Sequence, residues 1–127
     1  MGDRRQRLKK LVEVQAQLKA LHEARHAGFL ARAVAAEAEA AEFSRRFDEP
    51  DSLSVLFPEL YHRSIANALA RRDAELARAR EEASLVAKAT ARTNMVERAW
   101  READRQEERR RGDRERLDLI EQKRNAG

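Results

Sequence analysis

A chain of 127 residues has room for one domain, and 39% of its residues are charged while only 5% are aromatic. So few large apolar side chains cannot offset the entropy of closing a conventional globular core. The net charge of +4 and a pI near 9.9 leave acidic partners open, whereas the lack of cysteine excludes disulfides and Cys-ligated zinc.

Much of the 42% hydrophobic fraction is alanine, the best helix former, accompanied by Arg, Glu, Leu, Lys and Gln. Four Gly and two Pro leave little punctuation, which is the composition of a long helix or coiled coil. The first ten residues, MGDRRQRLKK, set Arg4, Arg5, Arg7, Lys9 and Lys10 against Asp3. No apolar segment follows them, which argues against a secretory signal, and Gln6 stands where N-myristoylation favours Ser or Thr. No apolar run approaches the roughly 18–20 residues of a membrane span. The expectation is a soluble, cytoplasmic protein.

From Leu11 the seam positions step through 14, 18, 21, 25, 29, 33, 36, 40, 43 and 47. That is heptad spacing with one four-residue stutter beside Arg25 and Phe29. The expected knobs are Leu11, Val14, Leu18 and Leu21, then Phe29, Ala33, Ala36, Ala40, Phe43 and Phe47. A first helix over about 4–47 follows, roughly 65 Å long at 1.5 Å per residue.

Inside that helix, HEARH carries the letters of the HExxH zinc-protease signature. There, two His one turn apart grip the metal and the Glu serves as general base. A zinc protease also needs a third ligand and a cleft that excludes water. Residues 27–32 hold no His, and His62 lies near the turn, roughly 45 Å away. In this register His22 and His26 flank Leu21 and Arg25 on an exposed face, with Glu81 or Glu82 able to approach from a second helix. The match of His22, Glu23 and His26 is read as coincidental, with no metal and no other cofactor implied.

FDEPDSLSVLFPELYH then breaks the pattern. Pro50 biases Glu49 out of the helical region, and Asp48, Asp51, Ser52 and Ser54 are turn and cap residues. Pro58 suits the first position of a new helix, with Glu59 favourable in its first turn. The turn spans about 48–57, and residues 48–63 are acidic overall. Its apolar residues, Leu56, Phe57, Leu60 and Tyr61 above all, either cap the coil end or dock a partner.

A second seam runs Ile65, Leu69, Leu76, Ala83, Val86, Thr90, Val96, Trp100, Ala103, Leu117 and Ile120, weakened by Arg72, Glu107, Arg110 and Arg114. It predicts a helix over about 58–124, in which Gly112 costs about 1 kcal/mol relative to Ala. Two helices joined by one short connection make an antiparallel hairpin. The predicted fold is therefore all-α: two long helices forming an antiparallel coiled-coil hairpin, the second helix longer and overhanging. A turn centred near 52–53 sets Leu8 near Glu97 and Trp100 beside Arg4 and Arg5, and leaves residues past about 103 without a partner.

No Gly-rich phosphate loop, Ser/His/Asp set or buried carboxylate pair can be assembled, so a non-enzymatic chain is expected. Acids interleave the bases of ERRRGDRER, which reduces the electrostatic gain from phosphates and argues against specific nucleic-acid binding. Trp100 either closes the coil or anchors a partner.

The basic N-terminal helix, the short turn and the longer C-terminal helix with VERAWREADRQEERRRGDRERLDLIEQKR, closing on EQK at Glu121–Lys123, resemble the flagellar export protein FliJ family and its virulence-secretion relatives. The likeness covers the whole chain as architecture. It implies a cytoplasmic hairpin, lever-like and about 65–100 Å long, built like the stalk of a rotary ATPase. Its open end would enter a hexameric export ATPase, and other surface would meet an export-gate component. The resemblance places Arg4, Arg5, Arg7, Trp100, Arg109, Arg110, Arg111, Leu117 and Ile120 toward the ATPase. It turns Leu56, Phe57, Leu60 and Tyr61 toward other machinery. The alternative is a structural scaffold that self-associates, or binds a partner, through the C-terminal overhang.

Overall fold

A computed structural model describes residues 2–127. Helix α1 runs Gly2–Phe47, a single 3₁₀ turn covers Leu53–Val55, and helix α2 runs Pro58–Ala126. With 46 and 69 residues in the two helices and no strand among the described residues, the chain is an all-α helical hairpin with a longer second helix. Gly112 lies within α2 without interrupting it.

The helices break where proline and serine chemistry dictates. After Phe47 the chain makes short turns, Asp48 N–H to Ser44 O (3.3 Å) and Glu49 N–H to Arg46 O (3.2 Å). The buried Ser54 hydroxyl donates to the Phe47 carbonyl at 2.8 Å, satisfying one of the acceptors that a helix C-terminus leaves open. Ser52 caps the 3₁₀ turn, its hydroxyl accepting from Ser54 N–H. Pro58 then opens α2, as its fixed φ and missing donor favour.

Contacts group the chain into two units: Ala20–Ala87, which holds the turn, and Met1–Lys19 with Lys88–Gly127. In Ala20–Ala87 the covered seam positions of α1 are His22, His26, Phe29, Ala33, Ala36, Ala40, Phe43 and Phe47, with Gly28 and Glu42 half-covered beside them. Those of α2 include Tyr61, Ile65, Ala68, Arg72, Glu75, Ala79, Glu82 and Val86. Ion pairs of opposite chain direction (Arg71–Glu39, Arg72–Glu37, Arg32–Glu75) make the helices antiparallel here. In the other unit the covered positions are Arg5, Leu8, Val12, Gln15 and Lys19 on α1, with Ala89, Thr93, Val96, Trp100, Ala103 and Glu107 on the α2 seam.

This alternation of three and four passes through α1 without a stutter, which corrects the sequence-based register. Leu11, Val14, Leu18 and Leu21 are not knobs: they are 41–48% exposed. The positions one residue on, Val12, Gln15, Lys19 and His22, take the seam. On α2 the exposed Ala83 is likewise replaced by the buried Glu82, and Ala68 and Ala89 displace Leu69 and Thr90 as the buried positions. The cause is the narrowness of the interface. Its fully covered apolar residues are Ala33, Ala36, Ala40, Ala68, Ala79 and Ala89, small enough to let two backbones approach closely, and Ala68 is 0% exposed.

The cross-helix register moves as well. Arg5 reaches Asp104, at 3.1 Å, where Trp100 was expected beside it, so residues just past Ala103 do have an α1 neighbour. Helical side chains lean toward their own N-terminus, so antiparallel partners meet later along both helices than backbone levels indicate. From Glu108 onward, Gly112 alone excepted, every residue of α2 is exposed.

The corrected register has a direct test. Ala36→Leu should overpack the seam and lower unfolding free energy by about 1–3 kcal/mol, while Val14→Ala should stay within about 0.5 kcal/mol. Urea melts followed by circular dichroism rank the two; the reverse order would restore Val14 to the seam.

Candidate interaction surfaces

The unit of Met1–Lys19 and Lys88–Gly127 holds the first candidate surface. Arg4 and Arg7 are exposed, and Arg7 Nε donates to the Asp3 backbone carbonyl at 3.3 Å. Arg5, half-buried, is tied to Asp104. Arg4 and Arg5 share a cavity of about 260 Å³ with Ala103, Gln106, Glu107 and Arg110. Three of the expected arginines, Arg4, Arg5 and Arg110, are thus brought together, while Arg109 and Arg111 lie exposed on α2. Trp100 occupies a half-buried seam position between Val96 and Ala103. Leu117 and Ile120 stay exposed, Leu117 at 61%, and Leu119 joins them on the same stretch. Leu119 is off the heptad seam, so periodicity gave no signal for it.

That stretch of α2 is laced by local ion pairs: Arg114–Glu107 at 3.5 Å, Arg111–Glu108 at 3.7 Å and Arg116–Asp113 at 2.9 Å. The two pairs at i,i+3 spacing, Arg111–Glu108 and Arg116–Asp113, contribute about 0.2–0.5 kcal/mol each.

The second surface lies at the turn, within Ala20–Ala87. Leu56, Phe57 and Leu60 are exposed, whereas Tyr61 is half-buried with its ring edge-on to Phe47 at 6.0 Å. His62 also packs against Phe47, with ring centroids 5.0 Å apart. A cavity of about 240 Å³ opens between Phe43, Arg46, Leu53, Phe57, Leu60, Tyr61 and Ser64. Leu53 and Val55, the latter 87% exposed, extend the apolar cluster beyond the residues assigned from sequence. Composition around the Ser-rich turn marked them as apolar; only the 3₁₀ turn puts them outside.

The turn is braced by Arg45, which donates to Glu42 (2.6 Å from Nη2 to Oε1) and also pairs with Glu49, while Arg46 reaches Glu42 at 3.2 Å. The Arg45 hydrogen bond, aided by the positive charges of Arg45 and Arg46, holds the Glu42 carboxyl below its ordinary range. A carboxylate whose folded pKa is depressed contributes stability above its unfolded value, lost as pH falls through the folded one. Glu42→Gln should therefore lower the melting temperature slightly at pH 7 and match the parent protein once acid has protonated the Glu42 carboxyl in the folded state. An offset that persists in acid would contradict the ion-pair origin.

The HEARH segment is not on an exposed face. His22 and His26 are half-buried seam residues, and His22 Nδ1 donates to Glu82 Oε2 at 2.9 Å. Glu82, only 8% exposed, has Arg25 as a second partner at 3.9 Å. Among the described residues no group of three or more His, Asp or Glu is placed to hold a metal ion, and no helix is long and apolar enough to cross a membrane. Deleting His22 leaves the buried Glu82 with only the long Arg25 contact, so His22→Ala should cost about 1–3 kcal/mol. Replacing both, as His22→Leu with Glu82→Leu, should return stability to near the parent value. Denaturant melts of the single and double variants check this; a double variant no better than His22→Ala would refute it.

Comparison with protein-family models, curated proteins and solved structures finds no match for the chain.

Proposed function

We propose that the chain is a non-enzymatic coiled-coil adaptor, a FliJ-like stalk component that engages a hexameric export ATPase through the open end of the hairpin. The observation that carries this reading is the combination of arginines and unpartnered helix in one unit. Arg4, Arg5 and Arg110 border one cavity, and beyond Glu107 α2 continues without a seam, with Leu117 and Ile120 exposed. A helix end of this kind offers an ATPase ring charged groups for orientation and apolar anchors for affinity. The export gate, in this reading, meets other surface, and the apolar cluster at Leu56, Phe57, Leu60 and Tyr61 is available for it. The site of action is the cytoplasmic side of a membrane-bound export apparatus.

A second reading rests on the same exposed Leu117, Leu119 and Ile120: a scaffold in which these side chains pair with those of another copy. The two readings part in solution. In the adaptor reading the purified chain binds a secretion ATPase hexamer in a pull-down and changes its ATP turnover, and Leu117→Gln with Ile120→Gln weakens both about tenfold or more. No binding and no change in turnover would end it. A stable dimer in sedimentation equilibrium that truncation after Ala103 abolishes would favour the scaffold.

A further inference from the structure

Within Met1–Lys19 and Lys88–Gly127 the seam leaves two flanks of opposite chemistry. Arg4 and Gln106 line one cavity together, which fixes one flank. Heptad steps from Arg4 reach Leu11 and Leu18 on α1, and steps back from Gln106 reach Ala99 and Arg92 on α2. Val14 and Met95 lie on the outer side of the same row. Leu11, Val14, Leu18 and Met95 are all exposed, Met95 at 67%. Around this apolar row stand the exposed bases Arg4, Arg7, Lys10, Arg92 and Arg98. Of the acids on this flank, Glu102 accepts from Arg105 Nη2 at 2.8 Å and Asp3 lies at its end.

The opposite flank, marked by the Arg5–Asp104 contact, carries Glu13, Glu97, Asp104 and Glu108 with Lys9 and Arg101, and no large apolar residue.

We propose that the basic, apolar flank is a docking groove for a third helix: an amphipathic segment of a partner protein with leucine-like residues at heptad spacing and carboxylates on both sides. Charge complementarity selects this occupant. The flanks of a second copy do not supply it. Flank against matching flank sets arginine on arginine, and the acidic flank has no large side chain to cover Leu11 and Leu18. A flat anionic membrane would share the preference for these charges, and vesicles separate it from a helix in the test below. Phosphates of a nucleic acid would answer the arginines but leave the leucines and Met95 wet. Helix-in-groove binding covers both. The inference shares Arg4 and Arg7 with the ATPase reading but rests on Leu11, Leu18 and Met95, which that reading does not use.

The probe is a labelled synthetic helix of about three heptads with Leu at its core positions and Glu at the flanking ones, titrated against the full chain by fluorescence anisotropy. Micromolar binding is expected, weakening several-fold between 50 and 500 mM salt. Leu11→Gln with Leu18→Gln should weaken it at least about tenfold while leaving helicity and melting unchanged, since neither residue is on the seam. A twin peptide with Lys flanks should not bind. The proposal is overturned if the Glu peptide fails to bind or the Lys twin binds equally. Tighter attachment to phosphatidylserine-containing vesicles would overturn it too. So would a mass that rises with concentration and is suppressed by the double Leu variant, which would make the occupant a second copy. Peptide binding without any response from a secretion ATPase would sink the stalk reading alone, and the converse would sink this one alone.

Discussion

The rest of the structure depends on an interface built from alanine. A seam whose buried apolar residues are Ala33, Ala36, Ala40, Ala68, Ala79 and Ala89 brings two helices close but removes little area from water at each layer. An alanine methyl contributes on the order of 0.8 kcal/mol when buried. The interface must therefore be long, and it cannot fix its register by shape alone, since one alanine layer resembles the next. Charged side chains supply the distinction. Glu82 with His22 and Arg25, Glu75 with Arg32 and Arg78, and Arg72 with Glu37 each tie one seam position of α2 to a defined partner. A helix slipped by one turn would leave those groups covered and unpaired, a cost that shape complementarity between methyl groups does not impose. Consistent with this, no buried side-chain polar atom among the described residues lacks a hydrogen-bond partner.

A small-residue seam also inverts the usual distribution of large apolar side chains. Leu11, Val14, Leu18, Leu30, Val34 and Met95 are exposed because they fall off the three–four seam, whose fully buried apolar positions are all alanine. The same holds at the turn, where Ser54 is buried against Phe47 while Leu53, Val55 and Leu56 stay outside. Several large apolar side chains are thus held on a frame that does not use them. In a chain this charged, such rows are the natural places for other molecules to attach.

The architecture was legible because proline placement, alanine content and three–four spacing agree on two helices and one break. Register was legible only in part. From Phe29 to Phe47 the sequence pattern and the structure coincide, since the phenylalanines and alanines hold the three–four spacing there while Leu30 and Val34 fall off it and are exposed. Before Phe29, ranking positions by size drew the pattern onto Leu11, Leu18 and Leu21 and forced a stutter to reconnect it. Carrying the Phe29–Phe47 spacing backward unbroken would have reached His26, His22 and Lys19, at the expense of a polar seam. What sequence alone does not reveal is that Glu82 waits opposite His22 to make that polar seam tenable. The arginines of the open end were visible as composition, but the grouping of Arg4 and Arg5 with Arg110 depends on how side chains lean across an antiparallel pair.

The stretch of α2 beyond Glu107 has much the same composition as the rest and none of its seam. Its helix is supported from within, by Arg111–Glu108, Arg114–Glu107 and Arg116–Asp113, pairs that act on one helix and need no neighbour. Such a segment gives a partner a surface already wound, with Leu117, Leu119 and Ile120 set at fixed spacing, so less ordering entropy is lost on docking than with an unstructured tail. On the reading proposed above, the ion pairs that do little for overall stability would lower the conformational cost of recognition.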